Sequence, residues 1–98
     1  MVNKDKTGTL IQFAVKAGKA AIGRSACEKL RSNNKLYLII LAKDASERLL
    51  EFSQGVTTHY YLTRSELGKL VGREQVSIIG ISDYQFVNAI AKYIDKEN

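Results

Sequence analysis

Apolar residues recur along the chain at two spacings, one typical of helices and one typical of strands. The clearest helical stripe lies near the C-terminus, where Phe86, Ala89, Ile90, Tyr93 and Ile94 follow the i, i+3, i+4 spacing of an amphipathic helix. Shorter stretches of the same pattern predict four earlier helices. Their inner positions are Leu10, Phe13, Ala14 and Ala17; Ala26, Cys27 and Leu30; Leu49, Leu50 and Phe52; and Leu67, Leu70 and Val71.

Capping signals accompany most of these stretches. A Ser or Thr followed three residues later by Glu or Gln marks a helix start, because each side chain satisfies a free backbone amide of the other residue. The pattern occurs at Ser25/Glu28, Thr63/Glu66 and Ser82/Gln85, and in a looser form at Asp44/Glu47. We therefore expect four of the helices to begin at these pairs.

The stretches between the helices predict strands. LYLIILA (36–42) is apolar at every position, as in a central strand covered by helices on both faces. THYYL (58–62) and VSIIGI (76–81) are two further strands, and Ala20–Ile22 is a short edge strand. This order predicts an α/β fold, a three-layer α/β/α sandwich with a central mixed sheet of about four strands.

Length and composition limit the remaining organisation. The 98 residues suffice for one domain with one core, and residues 1–7 are predicted to be a flexible N-terminal tail. No apolar run is long enough to cross a bilayer, and the first residues have no apolar signal-peptide region. We expect a cytoplasmic monomer.

Few residues support catalytic or metal chemistry. Cys27 is the single cysteine and lies on the apolar side of its predicted helix, and His59 is the single histidine. Asp44, Glu47 and Glu51 are spaced as a cap and an exposed helical face. We therefore expect neither an enzyme nor a bound metal or cofactor.

Basic residues are concentrated in one part of the chain. Residues 16–43 contain seven bases and one acid, whereas the net charge of the whole chain is +5. Such a segment can form a patch that binds phosphate groups, for example those of a nucleic acid. An ordinary solvated basic face is the alternative interpretation.

The stretch GKAAIGRS (18–25) resembles a phosphate-binding P-loop with Arg24 at the lysine position. A P-loop follows a buried strand, whereas residues 10–17 have helical spacing. The start of the second helix still attracts phosphate through its free amides and positive dipole. Gly23 permits close approach of a backbone, Ser25 and Lys29 share an outward face, and Lys19 flanks them.

Four stretches at their present spacing resemble a known family. AGKAAIG (17–23), LYLIILAKDAS (36–46), RSELGKLVG (64–72) and ISDYQFVNAI (81–90) are similar to the L-seven-Ae and L-thirty-e superfamily of ribosomal proteins. The similarity is greatest to the small bacterial members of the YlxQ type. It implies a three-layer α/β/α domain and RNA binding, in many members to kink-turn RNA.

The resemblance also implies a binding site. The family motif G-x-N-E-x-x-K aligns with residues 23–29, where Gly23 and Lys29 match, Ser25 replaces Asn and Ala26 replaces Glu. The loop at 72–75 joins the same surface, with polar residues where kink-turn binders often have apolar ones. The predicted RNA-binding residues are Lys19, Gly23, Arg24, Ser25, Lys29, Arg31 and Arg73.

The sequence thus predicts an RNA-binding protein that is ribosome-associated or binds kink-turn-like structured RNA through a basic helix N-terminus. Its expected partners are ribosomal or other structured RNA and the ribosome or ribosomal proteins. The alternative is a protein-interaction module on the same scaffold with weak or no specific RNA binding. The replaced Asn-Glu pair keeps that alternative open.

Overall fold

A four-stranded sheet lies at the centre of the structure, a computed structural model that describes residues 5–97, with side chains up to residue 96. The strands are β1 (Ala20–Ile22), β2 (Leu38–Leu41), β3 (Thr58–Tyr60) and β4 (Ile78–Ile81), in the spatial order β1-β4-β2-β3. Strand β4 is antiparallel to β1 and to β2, and β2 is parallel to β3. Strands β1, β2 and β3 therefore all end at the same end of the sheet.

Five helices cover the two faces of this sheet. They are α1 (Lys6–Lys16), α2 (Arg24–Ser32), α3 (Glu47–Phe52), α4 (Arg64–Leu70) and α5 (Tyr84–Glu97). Buried residues of α1, α4 and α5 share one apolar cluster with the sheet, and those of α2 and α3 share another. The predicted three-layer α/β/α sandwich with a mixed sheet is confirmed.

Strand β2 supplies both halves of the core. Leu38 and Ile40 belong to the cluster beneath α1, α4 and α5, whereas Ile39 and Leu41 belong to the cluster beneath α2 and α3. All four side chains are fully buried. This explains why the strand is apolar at every position instead of alternating with polar residues.

The predicted inner face of α1 is partly wrong. Phe13 is 54% exposed, whereas its neighbour Ala14 is fully buried, as is Ile11. In the same way, Leu50 of α3 is 41% exposed, while Leu49 is the residue that enters the core. In both helices two apolar neighbours compete for one inward position, and a short stretch of sequence does not decide between them.

The domain begins earlier than the predicted end of the N-terminal tail. Asp5 caps α1, since its carboxylate accepts hydrogen bonds from the backbone amides of Thr7 and Gly8. Thr7 is fully buried. Residues 5–7 therefore belong to the folded domain, and the rest of the predicted tail, residues 1–4, lies outside the described residues.

Two of the predicted helix starts illustrate how caps are chosen. Thr63 and Glu66 form the expected capping box at the start of α4. The predicted Ser82 cap of α5 is wrong, because the carboxylate of Asp83 accepts from the amides of Gln85 (2.8 Å) and Phe86 (3.3 Å). The hydroxyl of Ser82 donates instead to the carbonyl of Lys19. A carboxylate is the stronger acceptor near the positive end of a helix.

Candidate functional site

The end of the sheet at which β1, β2 and β3 finish also gathers the beginnings of helices. Helix α2 follows β1, α3 follows β2 and α4 follows β3. The first amides of a helix have no partner within it, and the helix dipole is positive there. In open α/β sheets, ligands commonly bind outside the carboxyl ends of the strands. This end of the sheet is therefore a candidate binding site.

A groove of about 390 Å³ opens at this end, between the starts of α2 and α3 and the loop that leads into β4. Arg24, Arg48 and Arg73 each contribute from a different one of these three segments. Among the described residues, no carboxylate lines it. The complete lining of this arginine groove is Ile22, Gly23, Arg24, Ser46, Arg48, Leu49, Arg73, Gln75, Val76, Ser77 and Ile78.

The start of α2 lacks the predicted side-chain cap. Gly23 is the N-cap residue, and its backbone has φ +93° and ψ 162°, a region that is essentially restricted to glycine. The Gly23 amide donates to the carbonyl of Ile78 at 3.0 Å. Ser25 thus lies within the first turn and, in the described part of the chain, no side chain caps this helix. The Ser25/Glu28 capping prediction is wrong.

The start of α3 is similar. Its N-cap residue is Ser46, whose side chain forms no capping hydrogen bond in the described structure. Asp44, which the sequence placed at the start of α3, accepts instead from the backbone amide of Arg64 at 2.8 Å, and this hydrogen bond lowers the pKa of the carboxyl. Two helix starts without a side-chain cap therefore border the arginine groove.

The three arginines of the groove differ in how they are held. Arg24 forms an ion pair with Glu28 at 3.3 Å, and its guanidinium lies 5.3 Å from the ring centre of Phe52. Arg48 and Arg73 form no ion pair with any described carboxylate. These two positive charges are therefore available to a ligand, whereas that of Arg24 is partly neutralised.

Arg31, which the sequence predicts to bind RNA, does not line the arginine groove. Its guanidinium stacks over Phe52 at 5.2 Å and donates to the backbone carbonyls of Phe52 and Gln54. These contacts join α2 to the C-terminal end of α3. The structure therefore does not bring Arg31 to the groove and gives it a role in packing.

The other predicted residues are divided between two surfaces. Ser25 and Lys29 are exposed on α2, one turn apart and outside the groove lining. Lys19 lies at the other end of β1, where its carbonyl accepts from the amide of Ser82 at 2.9 Å. Three residues of extended chain lie between it and Gly23, so that about 13 Å separates the two Cα atoms. Lys19 therefore does not flank the groove.

Sequence reasoning missed Arg48. The basic segment 16–43 ends before it, and no motif surrounds it. A usable signal was the order of elements, since a residue in the first turn after a buried parallel strand falls at the carboxyl end of the sheet. Arg48 occupies that position after β2.

The loop that carries Arg73 packs on a glycine of α4. The amide of Arg73 donates to the carbonyl of Gly68 at 2.7 Å. A Cβ atom at Gly68 would lie 2.5 Å from the carbonyl oxygen of Glu74 and 2.7 Å from that of Arg73. Gly68 therefore permits the close approach that places Arg73 beside the groove.

Replacing Gly68 with alanine should lower the free energy of unfolding by about 1–3 kcal/mol, the usual cost of overpacking. The added methyl group would collide with backbone, which cannot rotate away as a flexible side chain can. Urea unfolding measures the change. Ser65→Ala, on the exposed side of the same helix, is the control and should change the stability by less than about 0.5 kcal/mol. Equal stability of the two variants would show that the loop does not rest on Gly68.

The described residues contain no group of three or more His, Cys, Asp or Glu side chains placed to hold a metal ion. Within residues 5–97, no helix combines the length and apolar character needed to span a bilayer. Cys27 is buried under α2, and burial raises the pKa of its thiol to about 11.

Comparison with known proteins supports this fold. A protein of unknown function from Bacillus halodurans C has a similar structure, with a TM-score of 0.82 and 26% sequence identity over 94% of this chain and 99% of that one. The Giardia lamblia 15.5kD RNA binding protein has a TM-score of 0.68 and 17% identity over 98% of this chain and 89% of that one. No family model matches the chain. No curated protein matches it in sequence.

Proposed function

We propose that this protein binds structured RNA through the arginine groove. The observation that carries the proposal is the meeting of Arg48 and Arg73 with the start of α2, which lacks a side-chain cap, at one end of the sheet. The fold shared with the Giardia lamblia 15.5kD RNA binding protein supports it, as does the excess of bases in the chain.

The groove suits a phosphodiester backbone. Arginine presents a planar fork of donors that matches two phosphate oxygens at once. The first amides of α2 add uncharged donors and a positive dipole end. Together these groups would hold consecutive phosphates in a fixed geometry, and the contacts to phosphate would provide affinity without reading sequence.

The class of RNA follows from the family resemblance and from the first turn of α2. The resemblance suggests ribosomal or kink-turn-like RNA as the partner and association with ribosomal proteins in the cytoplasm. Kink-turn binders of this family contact guanines through Asn and Glu, at positions held here by Ser25 and Ala26. Because serine offers one hydroxyl and alanine no polar group, we propose recognition that depends mainly on backbone shape.

The wild-type protein should therefore prefer a standard kink-turn over a straight duplex only weakly. The double variant Ser25→Asn with Ala26→Glu should increase this preference by about 5- to 150-fold, if one base contact is worth 1–3 kcal/mol as in DNA readout. Gel-shift titration of both RNAs measures the ratio of affinities. Lys29→Ala is the companion variant, because it removes a motif residue and restores no base contact. Tight and selective kink-turn binding by the wild type would contradict the prediction.

Salt dependence tests RNA binding against the alternative of a protein-interaction module. Phosphate contacts release counterions, so the logarithm of the affinity for RNA should fall steeply and linearly with the logarithm of salt concentration. A duplex and a kink-turn RNA should both show this behaviour. Absence of saturable RNA binding at low salt would reject the proposed function and favour a protein partner.

A further inference from the structure

Two stacked tyrosines lie at the end of the sheet opposite the arginine groove. The ring centres of Tyr37 and Tyr84 are 4.0 Å apart and their planes differ by 13°. Tyr37 is half-buried, whereas Tyr84 is 64% exposed. Since one face of the Tyr84 ring rests on Tyr37, most of its exposed area belongs to the opposite face and the edges. A flat aromatic surface is therefore presented to solvent.

Backbone contacts on both sides hold this pair in place. Tyr37 directly precedes β2, and its amide donates to the carbonyl of Ile81 in β4 at 3.0 Å. Tyr84 is the first residue of α5, directly after Asp83, whose carboxylate caps that helix. The tyrosine pair is thus anchored to the sheet and to a helix start. This reduces the conformational entropy that the two side chains would lose on binding a ligand.

The charge around the pair favours a nucleic acid. On one side of β4, the amide of Ser82 donates to the carbonyl of Lys19. On the other side, the amide of Tyr37 donates to the carbonyl of Ile81, the residue before Ser82. Lys19 and Tyr37 therefore flank the same end of β4. The three segments that meet here, 16–20, 33–37 and 82–84, contain Lys16, Lys19 and Lys35 and one acid, Asp83. The Asp83 carboxylate is occupied by its hydrogen bonds to the amides of α5.

We infer that Tyr84, supported by Tyr37, is a stacking surface for an unpaired RNA base, with Lys19 and Lys35 near the flanking phosphates. Aromatic side chains bordered by Lys or Arg are the usual means of holding single-stranded nucleic acid, because every nucleobase has a flat face that can stack on a ring. The inference rests on the proposed function for the nature of the ligand. The surface is separate from the arginine groove, so the two can be tested independently.

The probe is a single-stranded oligouridine of about eight nucleotides with one central 2-aminopurine, a length within the usual site size of single-strand binders. Stacking on Tyr84 should quench the 2-aminopurine fluorescence when the wild type binds. Tyr84→Ala should weaken binding by about 5- to 150-fold and abolish the quenching, the range found for loss of one stacked base. Tyr84→Phe keeps the ring and should remain within about 2-fold of the wild type.

Tyr60→Ala is the matched control, because Tyr60 is a 40% exposed aromatic residue at the end of β3, opposite the end of the sheet that carries the tyrosine pair. It should change neither affinity nor quenching. Tyr84→Ala should remain folded and lose only the stability of the ring contact with Tyr37, which circular dichroism checks at the temperature of the binding measurement. Unchanged affinity and quenching in Tyr84→Ala, or absence of oligonucleotide binding by the wild type, would overturn the inference.

A variant of the arginine groove distinguishes the two proposals experimentally. Replacing Arg48 and Arg73 with alanine should weaken binding of structured RNA and leave the 2-aminopurine quenching in place. Loss of quenching in Tyr84→Ala together with normal duplex binding by the groove variant would support the stacking surface and reject the groove. The opposite result would support the groove and reject the stacking surface.

Discussion

Replacement of both Arg48 and Arg73 with alanine is expected to lower the affinity for structured RNA by about 100-fold or more at low salt. Each guanidinium lines the arginine groove and forms no ion pair with a described carboxylate, so each can form a charge-assisted contact with phosphate. The slope of log affinity against log salt should become shallower by about two, one for each lost contact. Gel-shift titration at several salt concentrations measures both quantities.

The matched control removes two positive charges from a different surface of the protein. Lys92 and Lys96 are exposed on α5, in the layer on the other side of the sheet from α2 and α3. Their double replacement with alanine should lower the affinity much less. Arg24 is left unchanged, because its removal would release the Glu28 carboxylate beside the groove. Equal losses in the two double variants would mean that net charge, and not the groove, determines binding.

Replacement of Ile90 with alanine is expected to lower the free energy of unfolding by about 2–5 kcal/mol, as for other buried aliphatic residues. Ile90 is fully buried in the cluster that joins α1, α4 and α5 to the sheet. Deleting three carbons there loses transfer free energy and leaves a cavity that the surrounding helices fill only in part. Urea unfolding followed by circular dichroism measures the loss.

Two further variants give reference values for the loss of stability in Ile90→Ala. Ile90→Val removes one methyl group and should cost about 0.5–1.5 kcal/mol. Phe13→Ala, on the exposed side of α1, should cost much less than Ile90→Ala despite the larger deletion. A change below about 0.5 kcal/mol for Ile90→Ala would mean that α5 does not pack on the sheet as described.

The layers of the fold could be predicted from the sequence because hydrophobic spacing reports burial directly. The apolar run of β2 required helices on both faces, and the stripe through Ile90 and Ile94 required one buried helical face. Caps were predicted less well. The choice between Ser82 and Asp83 depends on which side chain reaches the amides of α5, and the sequence pattern does not contain that geometry.

The candidate site was predicted only in part, for a topological reason. Neighbours in sequence need not be neighbours in space, since β1 separates Lys19 from Gly23 and places them at opposite ends of the sheet. Conversely, Arg24, Arg48 and Arg73 are far apart in sequence. They meet because β1 and β2 end, and β4 begins, at the same end of the sheet. Charge counting along the chain does not reveal that meeting.

Amide chemical shifts give the most direct test of RNA binding at the arginine groove. In a titration of ¹⁵N-labelled protein with duplex RNA, the amides of Arg24, Ser25, Glu47 and Arg48 and those of the loop 73–77 should shift together and saturate. The shifts should be reduced by added salt and by the replacement of Arg48 and Arg73. Saturable shifts confined to other surfaces, or no shifts at low salt, would contradict RNA binding in the groove.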